Sequence, residues 1–355
     1  MLGFSVYLSE SVKGQEGYIR KMKDHGFTSI FTSLHIPEDD PGKYKDELAE
    51  LGGIANEIGM ELMADISPKS LHHLGFTWET ADGLLSWGLT GLRIDYGVED
   101  ELIAELSQKM RVALNASTLT AQSLENMKRL GLKVAAAEAW HNFYPRPETG
   151  LARDFFHEQN KLITEAGLTV MAFVPGDEKR RGPLYQGLPT LEDHRFASPF
   201  AAYVDLKEQE GVGKILVGDV ELGEDSLRQF TAYSDGVILL RAKAHCGDEG
   251  LLRSVASIQT NRTDVARDVI RSMESRLYAT IGTGGISPEN TVERPAGSIT
   301  VDNERYDRYQ GEIQITKRDL PVDAKVNVIG RIIEEDRLLL PFIKGGKRFR
   351  IEWVQ

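Results

Sequence analysis

The feature that most restricts this chain is an alternation repeated eight times. Short apolar runs, "LGFSVYLS" (2–9), "FTSIFTSL" (27–34), "MELMADIS" (60–67), "GLRIDYG" (91–97), "RVALNAS" (111–117), "KVAAAEAW" (133–140), "LTVMAFV" (168–174) and "KILVGDV" (214–220), are separated by stretches with apolar residues three and four apart. Those stretches, among them "GYIRKMKDHG" and "TAQSLENMKRLG", often finish on Gly, as helix C-termini do. Strand alternating with helix implies parallel strands joined by crossover helices. Eight such units fit an α/β chain folded as a (β/α)8 TIM barrel better than an open doubly wound sheet, and no GxGxxG follows the first run.

After residue 240 the texture changes. One helical stretch, "TDVARDVIRSMESRL", is followed by Gly/Pro punctuation and alternating strands in "GSITVDNERYDRYQGEIQITKRDL", "KVNVIGRIIEED" and "RLLLPFIKGGKRFRIEWV". This reads as a small antiparallel β-barrel or sandwich. A chain of 355 residues also exceeds the size at which one core keeps growing, so the expectation is a barrel over 1–240 and a β domain over 241–355.

The net charge of -12 argues against nucleic acid or an anionic membrane surface as a partner, because either wants a basic face. An anionic ligand therefore needs a local basic pocket. The lone Cys246 excludes an intrachain disulfide framework and fits a reducing compartment. The first residues lack a basic segment followed by a long apolar one, and no run approaches a membrane span, so a cytoplasmic location is expected.

In a barrel of this type, residues two apart share a face, and chemistry gathers at the C-terminal strand ends. Position therefore selects Asp65 on strand three, Arg93 and Asp95 on strand four, Asn115 on strand five, and Glu138 with Trp140 on strand six. Asp177 and Asp219 follow strands seven and eight. Any one acidic residue after a strand also reads as a helix N-cap or a solvated loop residue. For Asp95 that reading is weakened by Glu99 and Asp100, which already supply an acidic helix start. Glu138 stands out because its neighbours are small and apolar. A charge there must find a partner or raise its pKa, and a raised pKa suits a general acid. Trp140 reads equally as core packing or as a surface for a sugar ring.

Beyond strand six, "HNFYPRPETGL" crowds His141, Asn142 and Arg146 into a segment broken by two prolines. The loop "PGDEKRRGPLYQGLPTLEDHR" (175–195) after strand seven is long, and long loops in compact domains tend to be functional. Arg181 and Arg195 lie in it, and barrels commonly hold phosphate near the loops after strands seven and eight, where Gly218 is well placed. The basic run also reads as a solvated face. His35 and His141 lack HxH or HExxH spacing, so no metal and no cofactor is expected. "IGTGGIS" (281–287) lacks the Lys-Ser/Thr of a P-loop and reads as a turn.

The motifs "GFSVYLSE", "FTSLHIPE", "ADISP", "LRIDYG", "LNAS", "HNFYPRPETGL", "PGDEKRRGPLYQGLPTLEDHR" and "RPAGSITVDNERYDRYQGEIQI" resemble the MupG family of 6-phospho-N-acetylmuramidases along essentially the whole chain. The resemblance implies a TIM barrel followed by a cyclophilin-like β-barrel. It also implies cytoplasmic cleavage of the β-1,4 bond in N-acetylmuramic acid 6-phosphate–N-acetylglucosamine, a peptidoglycan-recycling disaccharide. Glycoside hydrolysis needs a proton donor at the leaving oxygen and a group that attacks or stabilises the anomeric carbon. The residues suggest Glu138 as the acid and Asp95 as nucleophile or base, with Asp65 a rival for either role. The substrate's 2-acetamido group opens a third route, in which its own carbonyl attacks. Two anionic groups on the substrate call for two basic contacts, drawn from Arg93, Arg146, Arg181 and Arg195. The C-terminal domain is read either as a cap, through Arg294, Asn303, Tyr306 or Tyr309, or as a homodimer contact. Two rivals stand beside this reading. One is a metal-assisted sugar-phosphate isomerase or aldolase using Asp65, Asp95, Glu138 and His35 or His141; the other is a non-catalytic carbohydrate-binding protein.

Overall fold

A computed structural model describes residues 1–34, 44–94, 97–277 and 285–355. Eight parallel strands close into a barrel: β1 (Leu2–Ser5), β2 (Ser29–Ser33), β3 (Glu61–Ile66), β4 (Gly91–Ile94), β5 (Arg111–Asn115), β6 (Ala137–Trp140), β7 (Thr169–Val174) and β8 (Lys214–Val217). Pairing of β8 back onto β1, Ile215 against Leu2, completes the closure. Helices follow the strands as the periodicity requires, for example Val12–Asp24 after β1 and Arg153–Glu165 after β6. The helix Ala121–Arg129 after β5 begins where Thr120 and Ser123 cap each other's backbone N–H groups.

Alternation sorts each strand into an outer and an inner set, and the inner set stacks in layers. The middle layer is apolar: Phe31, Met63, Ala113, Trp140, Met171, Phe173 and Leu216 form one buried cluster. Below it, at the strand starts, lies a charged layer. Lys214 Nζ donates to Glu138 Oε2 at 3.0 Å and also to Glu61, and Arg111 Nη1 donates to Glu138 Oε1 at 3.3 Å. Ser29 Oγ donates to Glu61 at 2.6 Å. Ser29, Glu61, Arg111 and Lys214 are each the first residue of their strand, which sets the height of this layer. Gly91 opens β4 beside it, and a Cβ there would come within 2.4 Å of the Arg111 carbonyl oxygen.

The chain divides into two compact units, residues 1–199 with 206–223, and residues 200–205 with 224–355. A boundary at 240 falls inside β9 (Val237–Ala244), an interior strand of the second unit's sheet. The helix Glu224–Ser234 belongs to that unit because its buried Gln229 donates to the Leu239 carbonyl and to Asp336. The other strands there are β10 (Gln259–Thr260), β11 (Val269–Arg271), β12 (Ser298–Asp302), β13 (Ile313–Thr316), β14 (Val326–Ile332) and β15 (Arg348–Val354). They form a seven-stranded sheet in the order β10-β15-β9-β14-β12-β13-β11. All pairs are antiparallel except β15 with β9, so the sheet is mixed where purely antiparallel pairing was expected. Asp336, wholly buried, ties β9 down by accepting from the backbone and the guanidinium of Arg241.

Candidate active site

Above the apolar layer, at the carboxyl ends of the strands, the barrel opens into a pocket of about 280 Å³ lined by Phe31, Ser33, Asp65, Arg93, Asn142, Phe143, Tyr144, Pro145, Phe173 and Arg181. Register explains the gathering. Ser33 pairs with Asp65 across β2 and β3, and Asp65 pairs with Arg93 across β3 and β4, so three inward residues stand at one height. Arg93, only 4% exposed, donates from Nη1 to Asp65 Oδ1 at 2.8 Å and from Nη2 to Asn142 Oδ1. Ser33 Oγ donates weakly to Asp65 Oδ2 at 3.4 Å. Asp65 is thus held by a guanidinium on one oxygen and a hydroxyl on the other, facing the cavity.

Arg181 enters from the loop after β7. Its guanidinium lies 4.8 Å from the Tyr7 ring centre and 5.6 Å from that of Phe143, and it makes no ion pair among the described residues. Stacking on aromatic faces holds the cation without neutralising it. Tyr7 is itself fixed, its hydroxyl donating to the Gly218 carbonyl, and burial pushes that phenol up to about 12.

The loop that presents Arg181 is built on two buried ions. Asp219, wholly buried, accepts from the backbone N–H groups of Gly176 (2.8 Å), Leu188 (3.0 Å) and Arg181 (3.0 Å). Burial raises its pKa, and the three N–H groups oppose the shift. Arg195, 1% exposed, donates to Glu192 and to the carbonyls of Gln186, Gly187, Tyr144 and Arg146, which locks the loop after β6 to the loop after β7. Its guanidinium in turn holds the Glu192 carboxyl down to about 2.

Several sequence candidates therefore change role. Glu138 is not at the mouth. It is the second residue of β6, in the charged layer below the apolar cluster, with its oxygens engaged by Lys214, Arg111 and Trp140 Nε1. That position removes the basis for reading it as the general acid. Trp140 has no exposed surface and fills the middle layer, so it is core and offers no sugar platform. His141 points away from the cavity: its Nε2 pairs with Asn160 Oδ1 at 2.7 Å, its ring packs 4.6 Å from Phe156, and burial lowers it to about 4. Arg195 and Asp219 shape loops and do not offer free charge. Asp177 accepts from Gly223 N at 2.9 Å and joins the loops after β7 and β8. Asn115 accepts from Ser117 N at 3.0 Å, a local turn at the end of β5. Arg146 is exposed one residue beyond the pocket-lining Pro145. Arg294 lies in the second unit, where its Nε donates to the Pro321 carbonyl. Asp95 and His35 lie outside the described residues. Among the described residues no group of three His, Cys, Asp or Glu is placed to hold a metal ion, and no helix is long and apolar enough to cross a membrane.

The pocket also contains residues that the sequence did not single out. Ser33 shares the phase of Phe31 on β2, and Phe143 belongs to the same polar-aromatic run as Asn142 and Tyr144. Their signal was present in the spacing of that run, but charged residues outweighed it.

A closed (β/α)8 barrel with a carboxylate, a buried arginine and a second arginine gathered in a pocket at its carboxyl mouth has the architecture and site placement of barrel enzymes. The N-terminal model of the 6-phospho-N-acetylmuramidases matches residues 2–232 and the C-terminal model matches residues 244–352, so the chain belongs to the MupG family, whose name denotes a glycosidase-type activity. Among solved structures it is similar to a conserved protein of unknown function from Enterococcus faecalis, with 43% identity, 99% of this chain and 96% of that one covered, and a TM-score of 0.89. It is also similar to an uncharacterized B. cereus protein, with 25% identity, 99% of each chain covered and a TM-score of 0.74. No functionally curated protein matches it.

Proposed function

We propose that the chain is a 6-phospho-N-acetylmuramidase, acting in the cytoplasm on N-acetylmuramic acid 6-phosphate–N-acetylglucosamine during peptidoglycan recycling. The observation that carries this reading is Asp65, fixed by Arg93 and Ser33 and facing a pocket that also holds the guanidinium of Arg181, which makes no ion pair among the described residues. A carboxylate oriented before the substrate arrives suits attack on the anomeric carbon, or alignment of the 2-acetamido carbonyl for attack in its place. Asp95, two residues beyond Arg93 in the chain, is the second carboxyl of the proposal. Arg181 receives one anionic group of the sugar. The exposed Arg146, on the loop beyond β6, is the candidate for the other.

Incubating the phosphorylated disaccharide with the protein and following the released anomer by NMR tests this directly. Turnover that is indifferent to a chelator and much slower on unphosphorylated disaccharide is expected. Binding without cleavage would establish a carbohydrate-binding protein instead, and activity abolished by a chelator would favour a metal-assisted reaction.

A further inference from the structure

The loop after β7 ends in a tip whose construction and exposure do not match. On one side of the tip the Arg181 backbone N–H is fixed by the buried Asp219, and on the other the Gln186 and Gly187 carbonyls are fixed by the buried Arg195. Between those anchors stand Leu184, 45% exposed, and Tyr185, 62% exposed. Tyr185 also has a left-handed backbone, φ 55°, which side-chain-bearing residues other than Asn and Asp seldom adopt. Its N–H donates to the Arg181 carbonyl at 3.3 Å, and its ring end lies close against Gly182, where an added Cβ would meet the hydroxyl oxygen at 3.1 Å. Two buried ions and a strained residue thus hold an aromatic ring in water, four residues from the arginine that lines the pocket. Core packing does not explain it, because the ring is not in the core.

The size of the pocket suggests what the ring is for. At about 280 Å³ it falls below the roughly 300–1,000 Å³ of sites that enclose a whole drug-sized ligand. A disaccharide whose charged sugar fills it must leave its other sugar outside, over the rim. We propose that Tyr185 is the platform for that second, uncharged N-acetylhexosamine, presenting its ring face to the apolar C–H face of the pyranose. The assignment rests on the function proposed above and extends it to the leaving-group sugar.

The test compares the unsubstituted protein with Tyr185→Asn and Tyr185→Trp. Asn removes the ring but tolerates a left-handed backbone, so the loop keeps its path, whereas Trp keeps an aromatic face. Each is assayed for cleavage of the phosphorylated disaccharide, and for inhibition by the phosphorylated monosaccharide product, which occupies the pocket alone. The expected result for Tyr185→Asn is a KM raised about 10-fold, equivalent to about 1.4 kcal/mol, with kcat little changed. The product's inhibition constant should stay unaltered, and Tyr185→Trp should restore KM. An unchanged KM in Tyr185→Asn overturns the inference while leaving the function standing. A KM and an inhibition constant that rise together overturn it too, since the loss would then lie in the pocket. Absence of cleavage by the unsubstituted protein overturns the function, and this assignment with it.

Discussion

Replacing Glu138 by Gln separates the two roles a buried carboxylate in this barrel can play. Its oxygens accept from Lys214 at 3.0 Å, from Arg111 at 3.3 Å and from Trp140 at 2.7 Å, all in the layer at the strand starts. The amide oxygen of Gln can still accept from Trp140, but the charge that balances Lys214 is gone. Removing one partner from a buried pair costs about 3–5 kcal/mol when the other is left uncompensated. Here Lys214, whose side chain is 1% exposed, retains Glu61, and Arg111, 42% exposed, retains both Glu61 and water. The loss therefore belongs at the low end, about 3 kcal/mol. At roughly 2–4 °C per kcal/mol for a unit of this size, Tm should fall by about 6–12 °C. Turnover measured well below the new Tm should stay within a few-fold of the unsubstituted protein. Thermal unfolding and a progress curve on the same preparation check both halves. A Tm that does not move while turnover falls by orders of magnitude would refute the reasoning and return Glu138 to the chemistry.

Asp65→Asn should lose turnover as well as stability: assayed well below its Tm, turnover should fall at least about 100-fold, and Tm should also fall because the buried Arg93 exchanges its carboxylate partner for a neutral amide; turnover within a few-fold of the unsubstituted protein would contradict the role of Asp65. Arg181→Gln should narrow the preference for phosphorylated over unphosphorylated substrate by about 10- to 100-fold in kcat/KM, the worth of one charge-assisted hydrogen bond. Equal losses on both substrates would show that Arg181 does not touch the phosphate. His141 supplies a pH dependence. Burial lowers its folded pKa to about 4 against about 6.5 in the unfolded chain, so below pH 6.5 the unfolded state takes up a proton that the folded state refuses. Its contribution is complete above pH 6.5 and is lost progressively as pH falls toward 4, by about 3 kcal/mol in all. His141→Phe should flatten the denaturation midpoint across that window, and an unchanged slope would contradict the assignment.

The barrel was legible because its signal is periodic and local. Each of the eight apolar runs contains a barrel strand, and each Gly-terminated stretch was read by rules that need only neighbouring residues. The facing of Asp65, Arg93, Glu138 and Trp140 was legible for the same reason, since all four point inward as alternation requires. Their height was not. The run "KVAAAEAW" begins at 133, but residues 134–136 form a 3-10 turn and β6 starts at Ala137, so Glu138 stands level with Lys214, the first residue of β8. Height in a barrel is set by the stagger between strands, a property of pairs that no single strand carries. The alanines around Glu138 were misleading for a related reason: the alternate positions, Ala137 and Ala139, belong to the outer set of β6 and say nothing of the cavity.

The loop charges show a second limit. Arg181 and Arg195 look alike in sequence, yet one stacks on aromatic rings with no carboxylate among the described residues and the other is consumed by Glu192 and four carbonyls. Only the folded loop distinguishes a free guanidinium from a structural one. The mixed sheet of the second unit has a similar origin. β15 reaches β9 in parallel across about a hundred residues of intervening chain, and nothing in the local pattern of either strand specifies that partner.

The most direct test of the central claim is a crystal structure of the protein with the phosphorylated monosaccharide product bound. The account predicts the pyranose in the mouth pocket, an anionic group on Arg181 and the anomeric carbon beside Asp65. A sugar bound elsewhere, or one lying in the pocket with its phosphate turned away from Arg181 and its anomeric carbon remote from Asp65, would contradict it.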